Sequence, residues 1–317
     1  ATVHIGGFVD ILQGGVRIGA HGMFITEACE YVESFLTLRP TVALINNIDD
    51  DHLDYYKDIE HITEAFRKFL ALLPKDGVFI GCADDPRVRR LLVEHRGAHI
   101  SYGMANADYT PGNIVYDASG APAFDLLYEG KSLGRIALSV PGEHNIINAI
   151  AAAAVALYFG VPFPAIAQAL HAFENTRRRF EFFGERNGVR YYHDYAHHPA
   201  EINATLSAAA RVPHGKLWCV FQCNSYTRAK TLFCKNVSCF AHADETLVPD
   251  IYPGRETDDG SVHARDMVAG IQAGGAKAVY LPTFEEIRAY LDAHAQPGDL
   301  VVTLGSGDVY KQTQKLL

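Results

Sequence analysis

The amino-acid sequence predicts an α/β protein with two successive domains, the first built on a mixed sheet and the second on a mostly parallel one. In both halves of the chain, apolar runs of strand length alternate with segments of helical periodicity, which implies parallel strands joined by right-handed crossovers. Between them, short alternating segments separated by Gly, Pro, Asn and Asp are typical of antiparallel hairpins. A chain of 317 residues is long for one domain and favours two.

The first half begins its alternation with Thr41–Ile48, a continuous apolar run that ends in polar residues, as a buried parallel strand does. The spacing of apolar residues predicts a helix over Ile59–Leu73, and a strand with its turn follows over Gly77–Pro86. A short amphipathic helix, a short strand and the hairpins come next. An alanine-rich helix that starts near Pro141 and a second helix over Pro162–Phe173 close this half.

The alternation restarts after a boundary near Phe180–Gly188. The predicted strands are GVRYYHDY, GKLWCVFQC, ETLVPDIY, AKAVYLP and DLVVTLGSG, and the helices between them are PAEINATLSAAAR, AKTLFCKNVSCFAHA, SVHARDMVAGIQAG and FEEIRAYLDAHA. Parallel sheets bind ligands beyond the carboxyl ends of their strands. We therefore expect a site where these segments meet: HDYAHHP, QCNSYTR, PDIYPGR and GSGDVYK.

Composition narrows the class of protein. A net charge of −9 argues against a nucleic-acid surface, although an anionic ligand can still bind a local basic pocket. No apolar run is long enough to span a bilayer, and the first residues lack the basic and apolar regions of a signal peptide. We expect a cytoplasmic protein with no nucleic-acid or membrane partner. The six cysteines form no CxxC pair and are expected to be free core thiols rather than disulfides or a zinc site.

A Gly-Glu-His-Asn turn opens the alanine-rich helix and places His144, Asn145 and Asn148 at its N-terminus. Free amide donors and the helix dipole favour acceptors and anions there. The alternative is that the asparagines cap the helix by bonding their own backbone. Capping explains one asparagine more readily than all three side chains, so the turn indicates a nucleotide site.

Two further side chains, Glu27 and His52, lie where strands are predicted to end. A carboxylate and a neutral imidazole are plausible ligands for a divalent ion that bridges phosphates. The alternatives are a solvated surface glutamate and a helix-capping histidine. The neighbouring Asp49, Asp50 and Asp51 add negative potential, and a solvated turn is their simpler interpretation.

A second polar cluster follows the strand GVRYYHDY and contains Asp194, Tyr195, His197 and His198. Two histidines before a proline also suit an ordinary helix N-terminus. The arginine run at Arg177–Arg179 precedes this strand, and an arginine can grip a phosphate with two hydrogen bonds. A solvated basic run is the alternative for its first two members.

Six separate motifs, in order, resemble those of the Mur ligase family, most closely its MurC type: TEACEY, NNIDDDHLDYY, PGEHNIINA, RRRFE, DYAHHPAE and TLGSGD. The resemblance implies an enzyme of peptidoglycan biosynthesis that uses ATP and Mg²⁺ to activate the carboxylate of UDP-N-acetylmuramate as an acyl phosphate and joins L-alanine to it. It implies a P-loop-ATPase-like central domain over residues 1–180 and a Rossmann-like C-terminal domain over residues 181–317.

The resemblance also implies a role for individual side chains. Catalytic roles fall to Glu27, His52 and His197, and the first two of these hold the magnesium ion. The ATP-binding residues are His144, Asn145, Asn148, Arg179 and Asp194. The substrate-side residues are Tyr195, His198, Tyr226 and Arg228.

Three departures from the family pattern qualify this interpretation. The sequence contains no GxxxxGK[ST] loop, so we expect a truncated ligase that lacks this loop and the UDP-binding domain in cis and is inactive alone. Many relatives have His-Arg-Tyr-[Ser/Thr]-Arg where this chain has Asn224-Ser225-Tyr226-Thr227-Arg228, which puts the amino-acid selectivity in question. Phe66 occupies the position of a carbamylated lysine that some related ligases carry, in agreement with the MurC type.

Two alternatives remain at this point. The chain could come from the ligase that recycles murein tripeptide onto UDP-N-acetylmuramate, although HLDYY and TLGSGD favour the L-alanine ligase. It could also be a non-catalytic relative that binds a nucleotide or a partner on the same scaffold.

Overall fold

A computed structural model describes residues 1–20, 22–53, 55–231 and 237–317. The chain separates into two compact units. The first comprises Ala1–Gly6, Leu12–Asp117 and Ala121–Glu174, and the second comprises Gly7–Ile11, Ala118–Gly120 and Asn175–Leu317. Each unit has its own six-stranded sheet, and the two sheets share no strand. A domain boundary at residue 180 stays a prediction.

A small sheet at the start of the chain was not predicted. Its strands are β1 (Thr2–Val9), β2 (Gly14–Arg17) and β3 (Phe24–Thr26), in the order β2-β1-β3, with β1 and β3 parallel. Most of their residues are at least partly exposed, so the strands lack the continuous apolar run that marks a buried strand. A 3₁₀ helix follows over Tyr31–Thr37.

The large sheet of the first unit is mixed, as predicted. Its order is β4-β5-β6-β7-β8-β9, parallel from β4 to β7 and antiparallel from β7 to β9. The strands are β4 (Val42–Ile45), β5 (Val78–Cys82), β6 (Ala98–Tyr102), β7 (Tyr109–Tyr116), β8 (Pro122–Tyr128) and β9 (Lys131–Ala137). All five residues of β5 are buried, which is what its unbroken apolar run predicts.

Four α-helices belong to the first unit: α1 (Ile59–Leu70), α2 (Pro86–Glu94), α3 (Glu143–Tyr158) and α4 (Phe163–His171). The Asp58 carboxylate caps α1 by accepting from the His61 amide. This helix ends at Leu70, three residues before the predicted Leu73, and Pro74 disfavours helical backbone at Leu73 itself.

The sheet of the second unit has the order β10-β11-β15-β12-β13-β14 and is parallel except for the edge pair β10–β11. Its strands are β10 (Glu181–Arg186), β11 (Val189–Asp194), β12 (Leu217–Phe221), β13 (Glu245–Val248), β14 (Ala278–Tyr280) and β15 (Leu300–Leu304). Of these, β10 was not predicted, because a register shift between Phe182 and Gly184 interrupts its alternation. The mostly parallel, Rossmann-like prediction is confirmed.

The helices that the structure describes in the second unit are α5 (Pro199–Ala209), α6 (Tyr226–Thr231), α7 (Ala264–Ala273), α8 (Phe284–His294) and α9 (Val309–Leu316). The predicted helix AKTLFCKNVSCFAHA begins three residues early, at Tyr226, and its residues 232–236 lie outside the described part of the chain. The helix α9 was not predicted.

Most of the described thiols lie in the core, as predicted, and Cys29 does not. Cys82, Cys219, Cys223 and Cys239 are buried, whereas Cys29 is exposed. Burial raises the pKa of both Cys223 and Cys239 to about 12, so these core thiols are protonated and unreactive. The sixth cysteine lies outside the described residues. No helix in the described ranges combines the length and the apolar character needed to cross a membrane.

Candidate functional site

Four strand ends of the second unit meet through hydrogen bonds at one edge of the sheet. The Gly305 amide donates to the Asp194 carbonyl at 3.2 Å, which joins the turn after β15 to the end of β11. The Asn224 side-chain amide donates to Ser306 Oγ at 2.7 Å, which joins the loop after β12 to the same turn. The Tyr252 amide after β13 completes the series by donating to a carbonyl in the β12 loop. The segments predicted at strand ends therefore form one continuous surface.

Asp194 fixes the backbone on both sides of this surface. One carboxylate oxygen accepts from the Phe180 amide at 2.9 Å and the other from the Ala196 amide at 2.8 Å, while the residue is only 5% exposed. Burial raises the pKa of Asp194, and the Arg179 charge together with the two amides opposes that rise. The side chain thus ties the arginine segment to the turn after β11. Its predicted nucleotide contact stays a prediction.

Arg178 is the most enclosed member of the arginine run. Its guanidinium lies over the rings of Tyr195 and Tyr310, 4.5 Å from each centroid. One nitrogen also approaches the carbonyl oxygens of Ser306 and Gly307 at 3.5 and 3.4 Å. These contacts are those of an arginine built into the site and not of a solvated basic run.

Arg177 and Arg179 face acidic partners instead. The Arg177 guanidinium, half exposed, pairs with Asp10 at 2.7 Å and lies over the Phe8 ring. Arg177 therefore fits the alternative interpretation, a solvated basic residue at the surface. Arg179 Nη1 lies 3.4 Å from Glu201 Oε1, and its side chain is 47% exposed, so the guanidinium can reach a ligand without leaving this partner.

His193, one residue before Asp194, was not singled out from the sequence. It is fully buried, and its Nδ1 lies 3.0 Å from the Thr303 hydroxyl. Burial and the nearby Arg178 charge lower the pKa of His193 to about 3, so the ring is neutral near pH 7. His193 is therefore part of the packing beneath the site.

The turn after β11 brings Tyr195 and His197 together, with ring centroids 5.2 Å apart in an edge-to-face arrangement. His197 Nδ1 lies 3.0 Å from the Tyr195 carbonyl oxygen and 3.3 Å from a Glu201 carboxylate oxygen. Both neighbours only accept hydrogen bonds, so this nitrogen carries a proton. His198 is buried and caps α5, since its Nδ1 accepts from the Ala200 amide. The helix-terminus alternative describes His198, whose substrate contact stays a prediction.

Glu201 is a residue of this site that the sequence analysis missed. It occupies the third position of α5 and accepts from the amides of both His197 and His198, completing a capping box with the latter. The signal was present in DYAHHPAE, where a glutamate follows the capping residue by three positions. The usual capping box begins with Ser or Thr, so His198 in that position does not match the usual sequence pattern.

The loop after β12 presents Tyr226 and Arg228 from the start of α6. Ser225 holds this loop in a left-handed conformation, φ 72°, and its hydroxyl accepts from the Arg228 amide at 3.2 Å. Burial and the charges of Asp258 and Asp250 raise the pKa of the Tyr226 hydroxyl. The predicted convergence of Arg228 with Tyr195 and His197 stays a prediction.

In the first unit, Glu27 directly follows β3 and is exposed. Its Oε2 accepts from the Gly6 amide of β1 at 2.7 Å. A Cβ at Gly6 would lie 3.0 Å from both carboxylate oxygens, so the absence of a side chain there leaves room for the carboxylate. Glu27 is thus anchored through one oxygen, which leaves the carboxylate able to bind a cation.

His52 lies in the turn after β4 with a left-handed backbone, φ 53°. Its ring packs on Tyr31 at 4.6 Å between centroids, and its Nε2 lies 3.6 Å from Glu30 and 3.9 Å from Asp51. The Asp51 carboxylate also accepts from the next amide, that of His52, at 2.8 Å. Asp51 therefore fits the interpretation of the aspartates as part of a turn. The His52 ring can offer a nitrogen ligand.

Glu27 and His52 are the predicted ligands of a magnesium ion. Among the described residues, no three His, Cys, Asp or Glu side chains form a group that could hold a metal by themselves. Magnesium, however, keeps several waters and binds through one or two protein ligands plus substrate phosphates. Glu27 supplies a carboxylate, the oxygen ligand that magnesium prefers, and the roles of Glu27 and His52 as its ligands stay predictions.

The N-terminus of α3 carries the predicted adenine-site residues. Gly142 is its N-cap residue, with φ 103°, and a glycine offers no side chain to cap the helix. Asn145 donates to the Pro141 carbonyl at 2.7 Å, and Asn148 donates to the Asn145 side-chain oxygen at 3.3 Å. Asn145 thus bonds nearby backbone, but as a donor it does not satisfy a free amide of the helix and so does not cap it. His144 and Asn148 are exposed, in positions where a ligand can reach them.

Two family models match the chain. One, described as the Mur ligase middle domain, matches residues 19–156, and the other, described as the Mur ligase glutamate ligase domain, matches residues 178–307. A UDP-N-acetylmuramate–L-alanine ligase of Clostridium botulinum strain Eklund 17B is 45% identical over 316 residues, which is 100% of this chain and 69% of that protein.

Solved structures share the fold. The UDP-N-acetylmuramate–alanine ligase MurC of Thermotoga maritima superposes with a TM-score of 0.80 at 23% identity, covering 99% of this chain and 67% of that one. The MurF ligase of Thermotoga maritima in complex with ADP has a TM-score of 0.74 at 17% identity, covering 95% and 68%.

Proposed function

The chain belongs to the Mur ligase family, and we propose that it forms the central and C-terminal domains of an ATP-dependent UDP-N-acetylmuramate–L-alanine ligase of peptidoglycan biosynthesis. The observation that carries the proposal is the 45% identity to a ligase of that name over the whole chain. The meeting of four strand ends in the second unit supports it, because that edge is where such sheets bind ligands. ATP is a cytosolic metabolite, so the proposed activity belongs to the cytoplasm.

The proposed reaction has two steps. The substrate carboxylate attacks the γ-phosphorus of ATP and forms an acyl phosphate, releasing ADP. The amine of L-alanine then attacks the acyl carbon, and the tetrahedral intermediate expels inorganic phosphate to leave an amide. Charge develops on phosphoryl oxygens in the first step, so positioning and electrostatic stabilisation are the main tasks of the protein.

We assign nucleotide-binding roles within each unit by itself. His144, Asn145 and Asn148 offer amide and imidazole groups to the adenine ring. Arg179 reaches a phosphate, and Asp194 holds the arginine segment in place. A bound magnesium ion would shield the phosphate charge, with Glu27 and His52 as its protein ligands.

We assign the substrate side to the turn after β11 and the loop after β12. Tyr195 and Tyr226 offer ring faces and hydroxyl groups, and His198 fixes the start of α5 beneath them. His197 carries its proton on Nδ1, which sets the orientation of the ring toward the substrate. Arg228 supplies a guanidinium for a carboxylate or phosphate.

The experiment that tests this function joins the 317 residues to the part of the Clostridium botulinum relative outside the alignment and measures phosphate release with ATP, UDP-N-acetylmuramate and L-alanine. We expect release that depends on both acceptor substrates. Release with murein tripeptide in place of L-alanine would instead identify the recycling ligase. A folded chimera that binds ATP without ligation would identify a non-catalytic relative.

Arg228→Lys in the same chimera is expected to raise the KM for UDP-N-acetylmuramate or L-alanine about tenfold. A hydrogen bond to a charged group contributes about 1.5–3 kcal/mol, and lysine cannot reproduce the planar two-bond grip. Arg288→Lys on the exposed face of α8 is the matched control and should leave both constants unchanged. Equal kinetics for the two variants would remove Arg228 from the substrate site.

A further inference from the structure

We propose that Glu201 is a positioning residue that holds Arg179 and His197 in one charge-linked unit and so couples the nucleotide side of the site to the substrate side. The inference rests on the proposed function for what these two residues bind. The linkage itself rests only on contacts within the second unit.

The two oxygens of the Glu201 carboxylate have different partners. Oε1 faces Arg179 Nη1 at 3.4 Å. Oε2 accepts from the His197 amide at 3.1 Å and the His198 amide at 3.3 Å, and lies 3.3 Å from His197 Nδ1. One side chain therefore contacts a predicted ATP-binding residue and a predicted catalytic residue at once.

The surroundings strengthen this linkage. The side chains of His197 and Glu201 are 16% and 35% exposed, so their attraction is screened less than that of a surface pair. Burial opposes the charged form of Glu201, but His197, Arg179 and the two backbone amides outweigh it and hold the pKa of the carboxyl group below its usual range. The carboxylate is therefore ionised wherever the enzyme works near pH 7.

Helix capping by itself does not require this charge. In the same unit, α8 has a capping box in which the Glu286 carboxylate accepts from the Thr283 amide at 3.2 Å. Within the described ranges, Glu286 has no arginine or histidine at ion-pair distance. Glutamine at either position keeps an acceptor oxygen for the capping bond and removes only the charge. The two positions thus separate capping from charge coupling.

The charged and ring groups around His197 set the direction of the expected change. In the described part of the chain they include Glu201 from α5 and Tyr195 from its own turn, with Arg179 acting through the shared carboxylate. Removing the negative charge of Glu201 disfavours the protonated imidazole, whereas removing the positive charge of Arg179 favours it.

The test is an NMR titration of the His197 ring in the 317-residue chain, with the signal assigned from a His197→Gln variant. Glu201→Gln should move the midpoint to lower pH by about half a unit or more, and Arg179→Gln should move it to higher pH. Glu286→Gln should leave it in place. If Glu201→Gln does not fold, the upward shift in Arg179→Gln carries the test alone.

In the ligase chimera, Glu201→Gln should raise the KM for ATP about threefold or more, and Glu286→Gln should not. An unmoved His197 midpoint in both charge variants would overturn the coupling, whether or not the protein is a ligase. If the His197 midpoints shift as expected but the chimera forms no amide, the coupling stands and the proposed function is rejected.

Discussion

Asp194→Ala is expected to lower the free energy of unfolding of the second unit by about 2–6 kcal/mol, because two buried amides lose their acceptors and each such loss costs about 1–3 kcal/mol. The donors are the Phe180 and Ala196 amides, each of which bonds a different oxygen of the carboxylate. The same change should weaken ATP binding in the chimera, since the arginine segment loses its anchor. Urea unfolding of the 317-residue chain measures the first effect.

Asp258→Ala provides the matched control for this prediction. The Asp258 carboxylate also accepts from a backbone amide, that of Gly260 at 2.8 Å, but the residue is exposed and water can replace it. We expect a loss below about 1 kcal/mol there. Similar losses for the two variants would mean that the Asp194 bonds add no more than an exposed turn does.

Gly305→Ala is expected to destabilise the second unit by about 2–5 kcal/mol. Its backbone has φ 148°, and a Cβ would lie 2.8 Å from both the Gln222 carbonyl oxygen and Val309 Cγ2. Backbone strain and overpacking each cost about 1–3 kcal/mol. Relief of the clash would displace the turn after β15 from the loop after β12, so the KM values in the chimera should rise as well.

Gly275→Ala separates the two contributions. Gly275 also has positive φ, 89°, but nothing lies within 4 Å of the position of a Cβ. It should therefore show the backbone cost alone, about 1 kcal/mol. Thermal unfolding of both variants compares them directly. Equal losses would show that packing at Gly305 contributes nothing and that ordinary turn geometry explains this glycine.

Local pattern predicted most of the second sheet and much of the first. The apolar runs of β5, β12 and β15 predicted buried strands because a strand covered on both faces has no polar positions. The missed elements lack such a pattern. The register shift interrupts β10, the strands of the small sheet are partly exposed, and α9 is a short helix at the end of the chain.

The candidate residues divide in the same way. Strand-end position predicted that the segments after β11, β12, β13 and β15 meet, because the ends of parallel strands lie at the same edge. The surroundings of Arg178 could not be predicted from strand-end position, because its aromatic partners Tyr195 and Tyr310 lie elsewhere in the chain. Sequence separation carries no information about which rings enclose a guanidinium.

By itself, the sequence determined the family, the α/β class and the residue types that meet at the strand ends, because these follow from motifs and hydrophobic period. Only the tertiary structure decided what each polar group does there. It made His198 a helix cap, buried the Asp194 carboxylate against two amides and set Glu201 between Arg179 and His197. A polar side chain acts through its neighbours, and those neighbours are brought together by the fold and not by the chain order.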